Sequence, residues 1–98
     1  MNEFFDELAA TWVSAARRRG AEIDAPTLDS EIAAELLELA RVTAHTQERR
    51  FAPLSSYLAG VAIERLREAR PGTDDVEVAE LIREVRQQLE REVPGPAT

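Results

Sequence analysis

Apolar positions recur at three- and four-residue intervals in four separate stretches of this chain, and no stretch alternates as a strand would. The first stretch runs from about Glu3 to Arg19. At about 100° per residue, Phe4, Phe5, Leu8, Trp12, Ala15 and Ala16 share one arc of a helix. Glu3, Asp6, Glu7, Ser14, Arg17 and Arg18 lie opposite. Acids lead and arginines trail, as the helix dipole prefers. Gly20 follows where a left-handed C′ residue belongs. Residues 20–27 then read as a loop, with Pro26 holding Ala25 out of the helical region.

The second stretch spans about Leu28 to Gln47, with Thr27 or Asp29 as its cap. Ile32, Leu36, Leu39, Ala40 and Thr43 form its buried stripe; Glu31, Glu35, Glu38, Val42, His45 and Arg49 fall on the opposite strip. Val42 is the apolar member of that outer strip, so it either touches a partner or sits exposed. Pro53 ends this helix and suits the first turn of the next, about Pro53 to Arg70. That third helix is apolar over a wide arc through Leu54, Leu58, Ala59, Val61, Ala62, Ile63 and Leu66, which predicts a central helix packed on more than one side. Ala52, Ser56 and Gly60 are small at fourfold spacing and leave room for another backbone. Because glycine costs about 1 kcal/mol against alanine in a helix, a packing reason for Gly60 is expected. Arg65 interrupts the arc and must either snorkel or pair with a carboxylate.

Pro71-Gly72 reads as a turn, and Thr73 or Asp74 caps the next helix, with Asp74 and Glu77 in capping-box spacing. The fourth helix, about Asp75 to Glu92, repeats Val78, Ile82, Val85 and Leu89 in a narrow 4-3-4 seam. Two heptads are too few for a coiled coil, but the seam is a candidate interface, with a homodimer as its natural corollary. Pro94-Gly95-Pro96 closes the pattern. The expectation is therefore an all-α chain: a compact bundle of about four helices forming one domain over residues 1–93, with a disordered tail over 94–98.

Composition narrows the function more than the fold. Ninety-eight residues make one core, and 44% apolar with 32% charged residues describe a globular chain. With only Phe4, Phe5, Trp12, Phe51 and Tyr57 aromatic, that core must be aliphatic. The absence of cysteine removes disulfides and thiolate metal sites. The acidic N-terminus has no long apolar run, and no segment approaches the roughly 20 apolar residues of a membrane span, so a cytoplasmic protein is expected. A net charge of −7 argues against a nucleic-acid partner. All 12 basic residues are arginine, which with abundant alanine reads as a GC-rich coding bias.

The densest polar cluster is His45, Glu48, Arg49 and Arg50, followed by Pro53, Ser55 and Ser56. An imidazole and two guanidinium groups stand there just before a helix start with two hydroxyls, a way of holding a phosphate or carboxylate. The simpler alternative is that His45 and the arginines favour a helix C-terminus while the serines satisfy early N–H groups. A metal is not expected: His45 is the one histidine, and the row Glu31, Glu35 and Glu38 reads as a solvated face. No cofactor is expected either, and there is no glycine-rich phosphate loop or nucleophile elbow, so the chain is not read as an enzyme. Asp29-Ser30-Glu31 sits where a carrier protein would bear its attachment serine, but with a charged residue after the serine. A helix-turn-helix reading lacks a compact basic recognition helix.

One segment carries a likeness. Leu36-Leu37-Glu38-Leu39-Ala40-Arg41-Val42-Thr43-Ala44-His45, followed by Arg49 through Gly60, resembles a small uncharacterised helical domain of high-GC bacteria. The matching features are Ala44-His45, Ala52-Pro53-Leu54 and Tyr57-Leu58-Ala59-Gly60, across about a quarter of the chain. That domain occurs alone or attached to enzymes resembling the guanylyltransferase of molybdenum-cofactor maturation. Phe51 stands where such domains usually carry proline after the arginine. The resemblance implies an accessory domain near cofactor biosynthesis rather than the transferase activity. The expected function is thus a non-enzymatic accessory or interaction domain with a protein partner or self-association. The alternative is a small module for a phosphorylated ligand at His45, Arg49, Arg50, Ser55 and Ser56.

Overall fold

The computed structural model describes residues 2–92. Among them are four α-helices, one 3-10 turn and no strand: α1 (Glu3–Arg18), α2 (Ser30–Thr46), the turn Arg49–Phe51, α3 (Ala52–Ala69) and α4 (Asp75–Glu92). The all-α class is as the periodicity implies. The tail expected over 94–98 lies outside the described residues. By its contacts the chain divides into two compact units, residues 1–30 and 31–98.

In the first unit Asn2 caps α1, its side-chain oxygen accepting from the Phe5 N–H at 3.3 Å. The far end is closed by a Schellman motif. Ala21 N–H donates to Ala16 O at 3.0 Å and Gly20 N–H to Arg17 O at 2.9 Å. This closure needs a left-handed residue, and Gly20 supplies it at φ +83°. Arg17 and Glu22 pair across the turn at 3.1 Å. No residue of α1 is buried, and Trp12 keeps 59% of its surface. Phe4 and Phe5 meet edge to face at 5.0 Å. Pro26, Thr27 and Leu28 come back beside Phe5, Leu8 and Trp12, and the cleft between them holds about 350 Å³.

The second unit is built on Ile32 and Leu39 of α2, Ile63 of α3, and Val78, Ala79 and Ile82 of α4. Leu36, Ala59 and Leu89 pack against this cluster. Of the two candidate caps Asp74 starts α4, its carboxylate accepting from the Glu77 N–H at 2.9 Å. Gly72, at φ +95°, turns the corner from α3 to α4. Arg67–Asp75 at 2.8 Å and Arg70–Glu77 at 3.0 Å hold the two sides of that corner together.

Three expectations need correction. Val42 is neither exposed nor on an outer face; it keeps 3% of its surface. It lies only about 80° round the helix from Ile32, so the buried arc of α2 is wider than its strongest stripe. The third helix is not the deeply buried centre: Ile63 is its one buried residue, while Leu54, Tyr57 and Leu58 are exposed. A helix in a three-helix set meets its neighbours along one limited arc, and the apolar arc of α3 exceeds it. Gly60 serves no close approach, because a methyl group there would meet nothing within 4 Å. Arg65, which the pattern left to snorkel or pair, is exposed.

Candidate functional site

The polar cluster at the α2–α3 link is only partly assembled as an anion site would require. His45 sits exposed in the last turn of α2, where an imidazole suits the negative dipole end. Arg49 and Arg50 are exposed in the 3-10 turn. Arg50 pairs with Glu48 at 3.2 Å, and its guanidinium lies 5.6 Å from the Phe51 ring centre. The 3-10 turn runs directly into α3, so the helix start is not an open set of donors. Phe51 N–H donates to Glu48 O, Ala52 N–H to Arg49 O, and Pro53 has no N–H.

The serines point to different work. Ser55 is half-buried, with its Oγ 2.8 Å from Ala52 O and 3.2 Å from Thr43 Oγ1. Thr43 Oγ1 is in turn 2.9 Å from Leu39 O. Two hydroxyl protons serve three short contacts, and with Thr43 donating to Ser55 Oγ the relay runs on from Ser55 to Ala52 O. Through that bond Ser55 ties α3 to α2. Ser56 is also half-buried.

The seam residues divide just as clearly. Val78 is fully buried and Ile82 nearly so, leaving almost no surface for a partner. Leu89 is half-buried against the core cluster. Val85 alone of the four remains broadly open, at 50%.

Val85 opens into a groove of about 420 Å³ between α3 and α4, floored by α2. Leu58, Ala59 and Ala62 form one wall and Leu81, Val85 and Leu89 the other. Thr43 and Ser55 mark one end. Leu58 keeps 69% of its surface, and Leu54 and Tyr57 continue the apolar face beyond the wall. The wide apolar arc of α3 was the sequence signal for this groove. Periodicity alone does not distinguish a covered apolar face from an uncovered one, so the same arc also fits deep burial.

On the other side of α4 is an ionic contact that periodicity alone did not reveal. The Glu35 carboxylate is 2.9 Å from Arg83 and 3.5 Å from Arg86, while Arg86 also pairs with Glu90 at 2.9 Å. Glu35 and Arg86 are both largely withdrawn from solvent. The Arg86 guanidinium is held more strongly in its charged form, chiefly by its hydrogen bond to Glu90 against the opposing effect of burial. Glu35 and Arg86 each flank an apolar stripe by about 60–80°, so both tips meet where the stripes face.

Among the described residues no three His, Cys, Asp or Glu side chains are grouped to hold a metal ion. No described helix is long and apolar enough to cross a membrane. What fold and groove define is an all-helical domain whose second unit bears an apolar trough. The chain belongs to a family described as a domain of unknown function (DUF6457), whose pattern matches residues 5–96. No curated protein and no solved structure matches it.

Proposed function

We propose that this chain is a non-enzymatic interaction domain whose α3–α4 groove receives an amphipathic helix. The observation that carries the reading is the groove itself: an apolar trough of about 420 Å³ walled by Leu58 and Val85, both open to solvent. Helix-in-groove docking takes its affinity from apolar anchors spaced along one helix face, and such a trough offers places for them. Monomeric proteins rarely expose a continuous apolar face of this kind without using it.

The resemblance of residues 36–60 to domains attached to molybdenum-cofactor guanylyltransferases supports a place beside such enzymes, as an accessory rather than a catalyst. The test is calorimetric titration of the chain with a molybdenum-cofactor guanylyltransferase from the same cells. Saturable binding is expected, and Leu58→Arg or Val85→Arg should abolish it while leaving the helical circular dichroism intact. Absence of binding removes the cofactor link. Binding that ignores both substitutions removes the groove from it.

A further inference from the structure

We draw no further inference here: the strongest candidate, the apolar groove between α3 and α4 walled by Leu58 and Val85, belongs to the site already described, and nothing in the structure shows what covers it.

Discussion

The two sides of α4 are finished in opposite ways. Toward α2, Glu35 gathers Arg83 and Arg86, although Glu35 Oε1 and Arg86 Nε are buried there without a hydrogen bond. Toward α3, Leu58 and Val85 flank a trough that nothing in the second unit fills. Between the sides, Val78 and Ile82 are withdrawn from water completely or nearly so. One helix thus contributes an ionic contact, a core and an open apolar wall within five turns. Burial depends on what stands opposite each face, not on how apolar the face is.

The largest expected effect tests the core against the wall. Ile82→Ala should cost about 2–5 kcal/mol in urea unfolding, because it empties a packed site. Val85→Ala, on the half-open wall, should cost well under half of that in the monomer. Equal costs would remove the distinction between the two positions. Next comes the ionic side. Glu35→Leu alone should cost about 1–3 kcal/mol, since it leaves the guanidinium of Arg86 with less of its compensation. Adding Arg86→Leu should return much of that loss, as apolar replacement of a withdrawn ion pair often does. A double variant no better than the single one would show that the pair itself carries the stability.

On the open side, Gly60→Ala should raise unfolding stability by about 0.5–1 kcal/mol. The new methyl meets nothing within 4 Å, and alanine is the better helix former. A loss on that substitution would mean that a partner backbone does approach Gly60. The smallest effect is on the exposed face of α2, where the hydrogen bond and then the charge of Arg41 lower the Glu38 carboxyl below its ordinary value. A lowered carboxyl stabilises the fold above the usual carboxylate range, and this contribution fades as pH falls through the folded value. The Glu38 titration midpoint, read by NMR, should rise in Arg41→Ala.

Helix placement was largely legible. The fourth helix was expected over Asp75–Glu92 and occupies those residues, because Pro71-Gly72 and the Asp74 cap announce its start. The second begins two residues later than expected, and the third begins one residue earlier behind a 3-10 turn that no periodicity marks. That turn matters most for the candidate anion site. It leaves His45, Arg49 and Arg50 near one another in sequence but spends the first N–H groups on Glu48 and Arg49 carbonyls. Ser55 was legible as a hydroxyl near a helix start; its bond to Thr43, 12 residues away, was not.

The sequence by itself determined the helices, their caps and their polarity, since these rest on neighbours within about one turn. It also determined that α3 carries more apolar surface than one packing arc requires. Only the tertiary structure decided where that surplus went: into a groove rather than a core, with Val42 and Glu35 turned inward. Local pattern records each side chain's preference for water or oil. The partner that meets it comes from distant segments, and the meeting of those segments decides which preferences are satisfied.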